Sequence, residues 1–283
     1  MRKVELNQGS AEWLAWRKGL ITATEAGSIL GVNPYCTVYK SWQRKVGLIP
    51  EQKETEPMRR GKRDEPIARD LFIQQHGIDM IPCCVESEKY NYIGASLDGL
   101  SPCGKYLLEI KSQQIEARDV PEYHYAQMQH QMLCDDEGKI EKCFYVSHWA
   151  GVNTTVEVRP DLEWRINYLE KAAAYWKSVV FFEAPDMNYK DYKSMESDLA
   201  WTSSALQYRR LCAQIKVLED QKEAYRKELI ALSGSENCFG SGVKVMQTVV
   251  KGRVDYELIH DLKNIDLEQY RKPRTISWKV MCS

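Results

Sequence analysis

Apolar positions along this chain change period several times, and each change marks an element. In PMRRGKRDEPIARDLFIQQHG, Met58, Gly61, Glu65, Ala68 and Phe72 recur at alternating spacings of three and four, which predicts a long helix with those residues inward. Shorter runs at Ile81–Glu86, Tyr90–Gly94 and Tyr106–Lys111 carry the β-branched and aromatic content of strands, with SPCG as the turn between the last two. PEYHYAQMQHQMLC reads as a helix, KCFYVSHWA and VNTTVEVR as a strand pair, and LEWRINYLEKAAAYWKSVVFFEA as an amphipathic helix. Upstream, a helix is expected from Ser10 to about Lys18 and another from Thr22, where Thr22 and Glu25 have capping-box spacing; VYKSWQRKVGL suggests a third, after Asn33-Pro34. Helices alternating with strands in this order predict an α/β core with a central mixed sheet.

The character changes near residue 187. A polar stretch, 188–197, precedes Leu211, Ile215, Leu218, Tyr225, Leu229 and Leu232, whose heptad-like row is broken at Lys222 and predicts a long helix over about 201–232. SGSENCFGSG ends it, VKVMQTVV reads as a strand, VDYELIHDL as a short helix and TISWKVM as a final strand. We therefore expect a core over 1–187 and a helical and α+β appendage over 188–283. The heptad row fits either a packed hairpin or self-association.

Composition narrows the classes. The 283 residues are 43% apolar, enough for one sizeable core and an appendage. Lys plus Arg total 39 against 40 Asp plus Glu, so a site for an anionic polymer must come from local arrangement rather than bulk charge. The nine cysteines lack any C-x-x-C pair and read as reduced thiols. The start, MRKVELNQGSAEW, has no apolar signal-peptide core, and no run reaches membrane-spanning length, so a cytoplasmic protein with no membrane partner is expected.

The chemistry concentrates in GASLDGLSPCGKYLLEIKS. On a strand, Glu109 and Lys111 share a face while Ile110 points away. Asp98, at the turn ending the preceding strand, comes within reach of Glu109 if the two strands are antiparallel neighbours. Two carboxylates that close repel unless a cation lies between them, and an all-oxygen donor set favours Mg²⁺ or Mn²⁺. Glu65 can add a third carboxylate and the Ile110 backbone carbonyl a further ligand. The same spacing also fits a simple turn at Asp98-Gly99 with a surface ion pair between Glu109 and Lys111.

Taken in order, GSAEWLAWRKGLITATEAGSILGVNPY, MRRGKRDEPIA, GASLDGL, LLEIKS and YHYAQMQHQM resemble the PD-(D/E)XK nuclease superfamily, and within it the lambda-exonuclease-like, YqaJ-type viral recombinase group, over roughly residues 9 to 132. Leu97 stands where the superfamily name puts a proline before the aspartate. The resemblance implies a restriction-endonuclease-like α/β core and a catalytic set of Glu65, Asp98, Glu109, Lys111 and Gln127. Asp98, Glu109 and the Ile110 carbonyl, with Glu65, would then hold Mg²⁺, for which Mn²⁺ substitutes. Arg17, Thr24 and Ser96 would hold a terminal 5′-phosphate. Without the resemblance, Arg17 also reads as a surface arginine, Thr24 as a helix-start residue, Gln127 and Gln131 as a polar stripe beside core Met128 and Met132, His124 and His130 as hydrogen-bonded surface histidines, and Trp149, Trp164, Tyr168, Tyr175 and Trp176 as core, although one of these aromatics could stack on a base.

The implied function is a 5′-to-3′ exonuclease resecting double-stranded DNA ends for single-strand-annealing recombination, encoded by a phage or prophage in a bacterial host. Its implied partners are a 5′-phosphorylated duplex end, further copies of the chain in a trimeric ring, and a single-strand annealing protein. A nicking or repair endonuclease of the same superfamily, or a non-catalytic DNA-end-binding scaffold, are the alternatives. Lys251, Arg253, Arg271, Lys272 and Arg274 form a basic cluster that can touch DNA or simply be solvated.

Overall fold

The computed structural model describes residues 1–50, 54–113 and 119–248. Its elements run β1 (Arg2–Val4), α1 (Ala11–Lys18), β2 (Ile21–Thr22), a 3₁₀ turn (Ala23–Glu25), α2 (Ala26–Ile29), α3 (Val38–Lys45), α4 (Glu56–His76), β3 (Ile81–Glu86), β4 (Ile93–Leu100), β5 (Tyr106–Ser112), α5 (Glu122–Leu133), β6 (Lys142–Trp149), β7 (Val152–Val158), α6 (Leu162–Val180), α7 (Leu199–Leu232), β8 (Cys238–Gly240) and β9 (Val243–Val245). They fall into two compact units, Met1–Lys193 and a second that begins at Ser194. Asp191 accepts the Thr37 hydroxyl and ties the stretch after α6 to the first unit.

The first unit is α/β. Its mixed sheet has the order β1-β3-β4-β5-β6-β7, with β2 pairing parallel to β4. β3, β4 and β5 form the antiparallel meander that the strand pattern predicts, whereas β5 and β6 are parallel and are connected through α5. Side-chain alternation gives the sheet two apolar faces. Leu107 and Tyr145 join Ala126, Met128 and Met132 of α5 and Tyr168 of α6 in the larger core; Leu108, Ile110 and Phe144 meet Ala68 and Phe72 of α4 in the smaller.

Three local expectations are corrected. The strand expected at Tyr90–Gly94 is β4, which starts at Ile93 and continues through Asp98 and Gly99, so Asp98 lies inside the strand rather than in a turn. Close packing requires the glycine: a Cβ on Gly99 would sit 2.7 Å from the Met80 Cβ and 3.1 Å from the Leu108 Cβ. The inward stripe of α4 excludes Met58, which is 43% exposed, because the sheet is met further along, at Ala68 and Phe72. The helix expected from Thr22 is a 3₁₀ turn leading into the four residues of α2, although Thr22 N–H does donate to the Glu25 carboxylate at 2.9 Å.

In the second unit, α7 spans 34 residues and none of them is buried among the described residues. Cys238–Gly240, expected in a loop, forms a hairpin with β9. The short helix, the final strand and the basic cluster expected beyond residue 250 lie outside the described residues.

Candidate active site

The ladder between β4 and β5 pairs Gly99 with Leu108 and Leu100 with Leu107. One further step in that register sets Asp98 across from Glu109. The Asp98 carboxylate accepts the Ile110 backbone N–H at 2.8 Å, fixing it over β5. Glu109 is 1% exposed, an uncommon place for a carboxylate, and its charge is met on every side. Lys111 forms an ion pair with its Oε1, the Gln127 amide donates to the same oxygen at 2.6 Å, and the Gln131 amide donates to Oε2. Lys111 also donates to the Gln127 Oε1 at 3.1 Å, so Gln127 bridges the lysine and the glutamate. Both glutamines come from α5, where the spacing of four puts them on one face.

Glu65 projects from α4 and pairs with Arg69, one turn further on; the Arg69 Nε donates to the Asp98 carbonyl at 2.7 Å. Arg69 is the member that sequence reading missed, and Gln131, read there only as part of a polar stripe with Gln127, also holds Glu109. The i,i+4 spacing of Glu65 and Arg69 and of Gln127 and Gln131 was the available signal.

Three carboxylates thus act on one another. Burial first, then the charges of Glu109 and Glu65, raise the Asp98 carboxyl well above its usual range. Burial also raises Glu65, against the pull of Arg69 and with the help of Glu109. For Lys111 burial opposes the charged form, but Glu109 and Asp98 outweigh it and its pKa is raised. That direction favours the ammonium form of Lys111. Among the described residues no group of three or more His, Cys, Asp and Glu side chains is arranged to hold a metal ion. The donor chemistry nevertheless fits a hard cation: all three acidic groups are oxygen donors, and the raised Asp98 carboxyl is short of positive charge.

A second cluster lies at the start of the sheet. Arg17 donates to the Thr24 hydroxyl at 3.0 Å and to Thr22 at 3.3 Å, and its guanidinium lies over the Trp13 ring, 4.5 Å from the centroid. The Trp13 indole N–H donates to Ser96 Oγ at 2.8 Å. Arg17 and Thr24 thus touch, and Ser96 joins them through Trp13. Lys45, which sequence reading did not single out, supports this cluster from α3 with a side chain that is 7% exposed. It donates to the carbonyls of Arg17 (2.9 Å) and Leu20 (2.6 Å) and to Glu25 (2.8 Å).

Other aromatic and imidazole groups separate cleanly. His130 is buried, not superficial, bonded to Tyr168 OH at 2.7 Å and to the Gly94 carbonyl at 3.0 Å, and His124 is bonded to Tyr145 OH at 2.9 Å. Tyr168 and Tyr175 are core, with Trp164 and Trp176 packed against it, whereas Trp149 is 42% exposed. Every cysteine among the described residues is unpaired, and no described helix is long and apolar enough to cross a membrane.

Residues 12–138, which hold both clusters, match the family model of the YqaJ-like viral recombinase domain. The uncharacterized protein YqaJ of Bacillus subtilis (strain 168) is 28% identical over 128 residues, covering 42% of this chain; the match spans only 40% of that relative's length. Among solved structures, the fold is similar to that of an alkaline exonuclease from Laribacter hongkongensis, with a TM-score of 0.54, 21% identity, and 61% of this chain and 94% of that one covered. The complex of that exonuclease with dAMP gives a TM-score of 0.53, 20% identity and the same coverage. Residues 12–138 are thus similar to the YqaJ-like viral recombinase domain.

Proposed function

We propose that this chain is a metal-dependent nuclease that resects double-stranded DNA ends from 5′ to 3′ for recombination by strand annealing. The observation that carries the reading is the meeting of Asp98, Glu109 and Lys111 from adjacent strands with Gln127 bridging the last two. The family match and the likeness of fold to an alkaline exonuclease support it.

Asp98, Glu109, the Ile110 carbonyl and Glu65 are the residues that would hold Mg²⁺ or Mn²⁺. Such an ion, when bound, polarises a phosphoryl oxygen and lowers the pKa of a water molecule toward neutrality. The chain's own part is positional. Gln127 and Gln131 fix the Glu109 carboxylate, and Arg69 fixes both Glu65 and the backbone of Asp98. Lys111, kept protonated by its two carboxylate neighbours, orients the attacking water through Nζ and stabilises negative charge on the phosphoryl group. Arg17, with Thr24 and Ser96, receives the terminal 5′-phosphate; a guanidinium offers paired donors to it, and the Trp13 face limits its wandering. A phosphate anchored there sets the polarity. A ring of three copies and a single-strand annealing partner complete the proposal, with the exposed row on α7 available for assembly.

The test uses linear duplexes bearing a 5′-phosphate or a 5′-hydroxyl, together with a closed circle, each incubated with magnesium. Mononucleotides are expected from the phosphorylated linear duplex, far fewer from the hydroxyl form, and none from the circle. Cutting of the circle replaces this reading with an endonuclease; DNA retained without products replaces it with a binding scaffold.

A further inference from the structure

At the carboxyl ends of β5 and β6 lies a pocket of about 390 Å³ whose lining includes Arg60, Asp64, Gln113, His148 and Trp149. Of its residues, Asp64 directly precedes Glu65 on α4, and both Asp64 and Arg60 bond to Ser112, which directly follows Lys111. The Ser112 hydroxyl donates to Asp64 at 2.7 Å, and Arg60 donates to Ser112 Oγ at 3.1 Å and its carbonyl at 3.4 Å. Gln113 lies on the wall, its backbone N–H donating to the His148 carbonyl at 2.9 Å and its amide to Tyr145 OH at 3.4 Å. His148 in turn is held by Asn153 at 2.7 Å. Trp149 lines the pocket as an exposed indole at the end of β6, set by a tight turn in which Ala150 (φ 50°) and Gly151 (φ 79°) are both left-handed.

The chemistry of the walls selects the occupant. A phosphate would meet the Asp64 carboxylate, which accepts the Ser112 hydroxyl at 2.7 Å and faces like charge in an anion, so an anion is repelled. A flat, neutral ring with donors and acceptors on its edge is not: the indole offers a stacking face, Arg60 a donor, Asp64 an acceptor and Gln113 both. The volume lies within the range of small-molecule sites. We propose that this pocket receives a nucleobase of the strand whose phosphate reaches Asp98 and Glu109, stacked on Trp149 with its edge toward Arg60 and Asp64. This inference rests on the nuclease reading above and adds to it a base-holding site apart from the 5′-phosphate cluster. Stacking is tolerant of sequence, so the site would steady any terminal nucleotide rather than choose one.

The test measures end binding by fluorescence anisotropy in a Lys111→Ala background, where hydrolysis does not interfere. Duplexes carry a normal 5′ strand or an abasic unit at its first, second or third position. Trp149→Ala is expected to weaken binding of the normal end about tenfold, the size of one lost stacking contact, with Trp149→Phe recovering most of it. One abasic position should weaken the Trp149-containing protein by a similar factor and erase the difference between it and Trp149→Ala, as a direct contact requires. The abasic series with Trp149 intact needs no altered tryptophan and guards against a folding defect. Equal affinities across the variants, or a Trp149→Ala loss that persists at every abasic position, overturn the pocket. If the wild-type chain releases nucleotides while Trp149 proves indifferent, only this inference falls. If it neither binds ends nor releases nucleotides, both readings fall.

Discussion

Asp98 carries its charge at a cost set by its surroundings. Burial, Glu109 and Glu65 raise its pKa, so the folded protein binds a proton there more readily than the unfolded chain does. That contribution to stability is present below the unfolded value, near 3.9, and is lost as pH rises through the folded value. Asp98→Asn, whose amide oxygen can still accept the Ile110 N–H, should therefore raise the Tm at pH 7.5 in EDTA by a few degrees while ending turnover. Saturating Mg²⁺ should stabilise the wild-type protein by about 2.7 kcal/mol at a hundredfold excess over Kd, raising its Tm, and leave the variant unmoved. Differential scanning fluorimetry reads both arms. Lys111→Ala should lower kcat by roughly a thousandfold, the scale of losing one preorganised charge-stabilising donor, with little change in end affinity. Retained turnover would remove Lys111 from the mechanism. His130 has the opposite linkage. Burial lowers its pKa to about 4, so its contribution is whole above pH 6.5 and declines as pH falls toward 4. Urea denaturation should show about 2 kcal/mol less of that contribution at pH 5 than at pH 7, and His130→Gln should flatten the slope by that amount. His124, whose pKa burial lowers to about 3, keeps its own share in both proteins. Asp98 and Glu65, with raised values, lean the other way, which is why the difference between proteins is the quantity to measure.

At the scale of elements, the spacing of Glu109 and Lys111 was legible because a strand obeys a fixed alternation. The helix carrying Gln127 was legible for the same kind of reason. Asp98 was harder to place, because Asp-Gly is a turn signal in isolation. Here the glycine serves close packing between β4, Met80 and Leu108, a long-range reason that no local pattern announces. Gly99→Ala should cost about 1–3 kcal/mol in urea denaturation, since the added methyl must displace the strand, and turnover should fall because Asp98 moves with it. Helix α4 has a similar hidden feature. Pro66, directly after Glu65, cannot donate to the carbonyl of Lys62, so the helix gives up a backbone bond beside its one carboxylate that faces the site. Arg69 and Lys45 escaped notice because each also holds backbone carbonyls brought close only by the tertiary fold.

For the whole molecule, the two units differ in what they bury. The first holds both apolar cores and both polar clusters. The second displays Leu211, Ile215, Leu218, Tyr225 and Leu232 at exposures from 52% to 77%, so its long helix shows in sequence as a heptad row and in structure as an uncovered one. A fragment ending at Lys193 should unfold in one cooperative transition by calorimetry. The fragment should sediment as a monomer and the full chain as an oligomer, if the row on α7 serves assembly. A full chain that sediments as a monomer would dismiss that role.

On the proposed reading, strand β4 would also set a length. Ser96 and Asp98 are two residues apart on it, hence on one face and separated by roughly 6.7 Å of rigid backbone, comparable to a single internucleotide step. A grip at the first and scission at the second would fix the length of each bite by covalent geometry, with no counting mechanism needed. One residue inserted between them would turn the two side chains to opposite faces, and the cadence of digestion would be lost rather than lengthened.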